Sequence, residues 1–453
     1  MVSRAGLACG GAQNKDSCGG AQNKDSDQRS FFMAVGMSSP VTVSPSAGKR
    51  ALVSRERRIL QFTAVILVSS LFLQRFGLPF PAKGISIVGP IGLAAAAVAL
   101  AQGTLALNRA RLIAFLLLTG WAVLGMLWQQ THANSFDTLL NLNSLMQFLL
   151  LTSFATLSFA EPVNEARFFR QVNFYLALIA AAGLVQFVAQ FAGLRLFQFT
   201  GLLPTSILYE SGYNLEIPVG FAGLYKANGF FLVEPSVFSQ TMAVALIIEM
   251  LYFKRLRLVC LFAAGLILSF SGTGWIVLAT FVVSATFSLG TRGLVVAGAT
   301  LLLVAFAVGV ALLAAPEVAA VFGQRLQEFS QVGTSGQMRF ITPFWLLQDV
   351  LARVPSAALL GIGSGASEHL TLPYAYDVNT PIKVALEYGV PALVFYVLLF
   401  VLGPKSPIQR ALVLPGLVLF LFAGGYQQFP PVLFLVLLLL STAWLRPPSP
   451  GGE

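Results

Sequence analysis

The sequence predicts an all-α polytopic membrane protein with about twelve transmembrane helices, and three observations carry that expectation. Of its 453 residues, 56% are apolar and only 10% are charged, whereas a water-soluble domain carries roughly 25% charged residues to cover its surface. Mean hydropathy is +0.78, so most of the chain meets a solvent other than water. Apolar runs recur from one end to the other, and at ~20 residues per span they leave no room for a large soluble domain. A net charge of +10 would suit a nucleic-acid partner if it were clustered. Here the basic residues lie between apolar runs, where they orient a membrane protein instead.

Residues 1–48 are polar and contain a tandem repeat, CGGAQNKDS at 9–17 and again at 18–26. Such a sequence buries too little apolar surface to offset its ordering entropy, which predicts a disordered tail and makes Met33 or Met37 an alternative start. Cys9, Cys18 and Cys260 have neither disulfide nor metal-ligand spacing. Apolar runs then follow at 59–74, 84–102, 112–128, 138–159, 172–194, 236–253, 258–272, 274–290, 293–315, 382–403, 409–425 and 430–445. Residues 49–315 thus hold nine runs, 316–381 a long polar interruption, 382–446 three more runs, and 447–453 a short tail. Several runs fall below the ~20 residues of a perpendicular span.

Lysine and arginine give the orientation. With a cytoplasmic N-terminus, sixteen of the 28 fall in inner loops, eight in outer loops and four in the tail, so the positive-inside rule places both termini in the cytoplasm. The acids sort the other way. Asp137, Glu210, Glu216, Glu234, Glu317, Glu328, Asp349, Glu368 and Asp377 all fall outside, which implies a polar site on the extracytoplasmic face.

Two outer segments are long, 195–235 and 316–381. In the second, Val318, Val321, Phe322, Leu326 and Phe329 fall at helical spacing. Ile341, Phe344, Trp345 and Gln348 begin a second amphipathic pattern, with Pro343 early enough for a first helical turn. Two interfacial or re-entrant helices are expected, joined by a flexible Gly333-Thr334-Ser335-Gly336.

Three constellations could carry chemistry. Lys226 to Ser236 leads into the sixth run. Pro235 suits the first helical position, and Glu234 before it would sit at the positive end of the helix dipole, either as an ordinary helix-start acid or as a functional carboxylate. Second, Arg339 follows a Gly-rich turn, and Arg325, Arg339 and Arg353 share one outer segment against the positive-inside trend. Their planar forks suit a phosphate, while interface snorkelling is the plainer alternative. The turn Gly361-Ile362-Gly363-Ser364-Gly365 lacks a Walker or dinucleotide context. Third, Asn379 to Pro391 enters the tenth run. Lys383 at i−4 can pair with Glu387 as a structural ion pair, or Glu387 can be catalytic. Of the two histidines, His132 and His369, the second lies in the candidate segment. No zinc spacing and no Ser/His/Asp order stands out.

The run from Gly336 through Arg339, Pro355, Gly361 to Gly365, Asn379 and Leu386-Glu387-Tyr388-Gly389-Val390 resembles the signature of the bacterial O-antigen ligase and polymerase family. Gly229 to Ser236 and Ser269 to Gly274 resemble its Wzy-like exopolysaccharide and capsule polymerase branch. The family's frequent histidine before the asparagine is Val378 here, with His369 nine residues upstream, and two residues separate Gly336 from Arg339 where many members have the pair adjacent. The resemblance implies a GT-C-like membrane glycosyltransferase of the bacterial inner membrane that uses undecaprenyl-diphosphate-linked sugars at the outer face, without nucleotide sugar, metal or other cofactor. It implies Glu234 and Arg339 as catalytic residues, Arg339, Arg325 and Arg353 as diphosphate ligands, and His369, Asn379, Glu387 and Lys226 as secondary candidates. The implied partners are the lipid-linked donor and acceptor, membrane lipids and a chain-length regulator protein, with no nucleic acid. A ligase within the family, or a twelve-span flippase or secondary transporter, is the alternative. A transporter would be expected to show two matching halves with midplane sites, and the halves here do not match.

Overall fold

The computed structural model describes residues 45–78, 85–131, 141–196, 203–209, 216–219, 223–314, 331, 333–370, 376–421 and 429–447. The expected tail, the helix over 318–329, Arg325 and His132 lie outside these residues, apart from Pro45–Gly48, which begin the first helix. About 74% of the structure is helical. In chain order the helices are α1 (Pro45–Phe72), α2 (Val88–Ala101), α3 (Arg109–Thr131), α4 (Leu142–Ser153), α5 (Glu165–Ala189), α6 (Pro235–Ile248), α7 (Leu256–Leu268), α8 (Thr273–Ala314), α9 (Ser335–Phe340), α10 (Thr342–Arg353), α11 (Ala357–Leu360), α12 (Thr380–Tyr388), α13 (Val390–Val401), α14 (Pro407–Leu421) and α15 (Pro430–Leu437). Of the first unit, Met1–Arg50, the described residues are Pro45–Arg50, which open α1; the second unit is Ala51–Glu453.

Among the described residues four helical stretches are long and apolar enough to cross a membrane, Arg109–Thr131, Glu165–Ala192, Pro235–Phe253 and Thr273–Thr291, and six shorter apolar ones accompany them. One expectation is corrected. The run at 382–403 is not one helix, because Gly389, with φ +88°, separates α12 from α13. The runs at 274–290 and 293–315 are two helices within the α8 range, parted at Gly290, whose φ 56° and ψ −137° are not helical. α6 is the central helix. All its residues from Pro235 to Ile248 are buried, and it packs on α5, α7 and α8.

Short helices leave terminal carbonyls that lipid cannot satisfy, so the protein must do so. Among the described residues four helices end in extra turns, α4 and α5 in 3-10 turns to Thr156 and Ala192, and α6 and α15 in π turns over Glu249–Phe253 and Leu438–Thr442. Buried donors then meet the free carbonyls. Arg111 Nη1 donates to Ala155 O (3.1 Å) and Leu157 O (2.9 Å), Lys405 Nζ to Leu402 O (3.3 Å) and Leu440 O (2.7 Å), and Gln409 Nε2 to Leu439 O (3.0 Å) and Ala443 O (2.9 Å). Burial, and secondly the charge of Arg111, push Lys405 down to about 8. Arg255 holds Glu249 at the end of α6 through Nε (2.8 Å) and Nη2 (2.7 Å), with Asn173 on the same carboxylate (2.9 Å).

Loops assigned to one side by charge meet each other. Strand β1 (Leu105–Leu107) pairs antiparallel with β2 (Leu157–Phe159), and β3 (Val163–Asn164) runs parallel to β4 (Leu445–Arg446). Arg55 pairs with Glu161 and Arg167 with Glu56 on that same side. At the other end Phe76 bridges to Leu208, Pro218 to Tyr225, and Asn141 N donates to Ser364 O (3.0 Å). The candidate residues belong to this second face.

Candidate active site

The segment from Lys226 to Glu234 is neither helix nor strand, yet Ala227, Asn228, Leu232 and Val233 are buried. Irregular backbone at such a place needs protein partners for its polar groups. Gln186 of α5 supplies several: its Oε1 accepts from Asn228 N (3.0 Å) and Phe230 N (3.3 Å), and its Nε2 donates to Asn228 Oδ1 (2.8 Å). From the end of α1, Gln74 Oε1 accepts from Val233 N (3.3 Å) and Arg75 Nε donates to Leu232 O (3.1 Å). Burial pushes Arg75 down to about 10, so it stays cationic at neutral pH. The chain turns at Gly229 and Phe230, both left-handed (φ 70° and 63°), and a Cβ at Gly229 would fall 2.9 Å from Phe238.

This support delivers Glu234 to the start of α6, with Pro235 in the first turn. Glu234 occupies the N-cap position, but its side chain makes no capping bond to the helix. It is aimed instead at the site. Ser236 Oγ donates to Oε2 at 2.6 Å, and Arg339 Nη2 lies 3.5 Å from the same oxygen. The motif Ser269 to Gly274 fixes this helix start from behind. Thr273 Oγ1 donates to Ser236 O (3.1 Å), Gly274 N to Ser239 Oγ (3.1 Å), and a Cβ at Gly274 would sit 2.3 Å from that oxygen.

Arg339 lies in the last turn of α9, and the expected flexible joint before it is in part the start of that helix. Thr334 Oγ1 accepts from Gln337 N (3.5 Å) while Gln337 Oε1 accepts from Gly333 N (2.9 Å), a reciprocal cap of the Thr-x-x-Gln kind. The guanidinium then reaches two acids, Glu234 through Nη2 and Asp377 Oδ2 through Nε at 3.1 Å. Asn379 caps α12 by accepting from Ile382 N (3.2 Å) and donates its Nδ2 to Arg339 O (3.2 Å), so it positions the arginine's backbone. The side chains of Arg339 and Glu234 are 22% and 26% exposed, which leaves the pair open to a ligand.

The other candidates are placed apart from this contact. Glu387 is buried: Lys383 Nζ lies 3.6 Å from its Oε1, Ser367 Oγ donates to that oxygen at 2.5 Å, and Lys383 also meets Glu368 Oε1 at 2.5 Å. This is the i,i+4 ion pair the spacing allowed, extended into a network that braces the Gly-rich turn. The turn itself spends its donors on backbone, Ile362 N on Leu386 O (2.7 Å) and Gly363 N on Glu387 O (3.2 Å), so those two amides cradle no phosphate here. Burial and the charge of Glu368 raise the Tyr376 phenol, which donates to Ser367 O (3.0 Å) and Leu370 O (2.8 Å). His369 is exposed on the same segment. Arg353 is exposed at the far end of α10, ~16 Å of helix from its start, and the structure does not join it to the pair. Lys226 is buried, and its backbone N donates to Ile217 O (2.9 Å). Asp377 was overlooked as a site residue. Its only signal was its place two residues before Asn379, because nothing local links it to Arg339.

Two carboxylates on one guanidinium, at the face where the charge pattern puts the acids, make a site able to take a proton and hold an anion. The family described as WcaD colanic acid polymerase matches residues 58–438. The chain belongs to this family. The match spans both members of the Glu234–Arg339 contact, and it makes the protein a Wzy-like, glycosyltransferase-type polymerase of exopolysaccharide repeat units. No curated protein and no solved structure matches the chain.

Proposed function

We propose that this member of the WcaD colanic acid polymerase family joins undecaprenyl-diphosphate-linked repeat units at the outer face of the inner membrane, with about twelve spans and both termini in the cytoplasm. The observation that carries the proposal is the 3.5 Å contact between Glu234 and Arg339, 105 residues apart, at the predicted outer face. A hydroxyl of the acceptor's terminal sugar attacks the anomeric carbon of the donor chain. The bond from that carbon to the diphosphate oxygen breaks, and the lipid diphosphate leaves. Glu234 accepts the hydroxyl proton as general base. Arg339 disperses the negative charge gathering on the diphosphate, which fixed guanidinium donors do without reorganising. Asp377 on Nε keeps the fork turned toward Glu234. Arg353, at the far end of α10, would serve a diphosphate bound further along the interface, Arg325 is proposed as a second such ligand on its charge alone, and a chain-length regulator would act on the emerging polymer.

The test is a deletion strain complemented with wild type or with Glu234→Gln. The deletion should accumulate the lipid-linked single repeat and lose long polymer. Wild type should restore polymer, and the glutamine variant should stay at least ~100-fold below it at equal membrane level. A deletion strain that accumulates full-length lipid-linked polymer would instead indicate a ligase, and full rescue by Glu234→Gln would remove the carboxylate from the chemistry.

A further inference from the structure

Along one edge of a guanidinium the Nε–H and an N–H of Nη2 point the same way, the fork that grips a phosphate or a carboxylate. In Arg339 two different acids share this edge. Nε donates to Asp377 Oδ2 at 3.1 Å, and Nη2 lies 3.5 Å from Glu234 Oε2. A diphosphate that takes the edge through two parallel bonds has to displace at least one of them. The two acids are not held alike. Glu234 opens α6, its backbone O accepts from Phe238 N (3.1 Å), and Ser236 Oγ donates to its carboxylate at 2.6 Å, so it keeps its place without the arginine.

Asp377 lies on irregular backbone just before α12. Its side chain is 43% exposed, and among the described residues its carboxylate has no hydrogen-bond or ion-pair partner other than Arg339. Water solvates such a group as soon as it lets go. The backbone around it would not follow, because Asp377 N donates to Met338 O (3.2 Å) and Asn379 Nδ2 to Arg339 O (3.2 Å), which pin the end of α9 independently of the ion pair. Release of Nε needs only a side-chain rotation.

We propose that Asp377 is a displaceable counter-ion: it aims the Arg339 fork before the donor arrives, gives up Nε to the incoming diphosphate, and reclaims it as the lipid diphosphate leaves. The proposal rests on the polymerase reading for the identity of the anion. Its own argument is the unequal hold of two acids on one guanidinium edge. No covalent bond changes in the exchange. A carboxylate beside a bound diphosphate repels it, as like charges do in a partly exposed site. Asp377 is thus a positioning residue that also limits how tightly Arg339 keeps the product. A residue that only aimed the fork would act in the opposite sense, since losing it would scatter the donors and weaken binding.

The experiment uses the purified full-length protein in nanodiscs, with farnesyl diphosphate as the probe and binding read by calorimetry. Asp377→Asn, which keeps the shape and removes the charge, should bind the probe about tenfold more tightly than wild type, the order expected when one like charge near the surface is removed. The gain should vanish when Arg339→Lys is added. An unchanged or weaker affinity in Asp377→Asn, or a gain that survives Arg339→Lys, overturns the proposal. Should Asp377→Asn fail to fold, Asp377→Ser carries the same expectation. Polymerisation of undecaprenyl-linked repeat units is measured alongside. In Asp377→Asn KM should fall, kcat should fall with it because product release slows, and added undecaprenyl diphosphate should inhibit at about tenfold lower concentration. A KM that rises overturns the exchange. Should wild type form no polymer while Asp377→Asn still gains affinity for the diphosphate through Arg339, the polymerase reading fails and the counter-ion stands.

Discussion

Arg339→Lys is expected to lower polymer formation from purified lipid-linked repeat units by roughly 30- to 1000-fold, equivalent to ~2–4 kcal/mol of transition-state stabilisation. The guanidinium uses two different nitrogens on two carboxylates, Nε on Asp377 at 3.1 Å and Nη2 on Glu234 at 3.5 Å. An ammonium keeps the charge but has no rigid fork, so it cannot hold both acids in this arrangement or present two parallel donors to a diphosphate. The protein should remain folded, because exchanging one partly exposed ion-pair cation for another affects stability by on the order of 1 kcal/mol or less. Polymer yield, membrane level and thermal stability in detergent are measured together. Wild-type yield from the lysine variant would reduce Arg339 to an interface charge. Loss of yield with a matching loss of folded protein would place the arginine in the scaffold instead.

Gly389→Ala is expected to remove most folded protein from the membrane. Gly389 sits at φ 88° and ψ 165°, a region that only glycine occupies readily. A Cβ there would lie 1.9 Å from Leu359 O. The obstacle is backbone held on both sides. Leu359 O accepts from Trp121 Nε1 at 2.8 Å, and Ile362 N reaches across to Leu386 O at 2.7 Å. Strain and collision together should cost at least ~3 kcal/mol, a large part of the stability of an ordinary domain. Gly193→Ala is the control: φ is also positive, at 74°, but nothing lies within 4 Å of the added carbon, so it should cost only ~1 kcal/mol. Thermal unfolding of the two variants in detergent separates them. Equal midpoints would show that the turn at 357–365 yields where the structure holds it rigid.

The contrast between these residues shows what was legible in the chain. Glu234 before Pro235, Pro343 in a first turn and Lys383 four residues before Glu387 are local patterns, and the structure places them as a helix start, a first-turn proline and an i,i+4 ion pair. Arg339 stood out because a glycine-rich turn precedes it in a segment that runs against the charge bias. Asp377 did not, since 38 residues separate it from its partner. Arg75 read as an ordinary outer-loop cation and is buried, donating to Leu232 O. Arg353 carried the same expectation as Arg339 and lies at the other end of α10.

By itself, the sequence determined the helical class and the places of most apolar runs, because hydropathy, periodicity and capping act over a few neighbouring residues. Tertiary structure alone decided that Glu234, Arg339 and Asp377 form one contact and that Glu387 braces a turn. Those outcomes depend on which segments lie side by side. A charge finds its partner only once helices distant in sequence have packed.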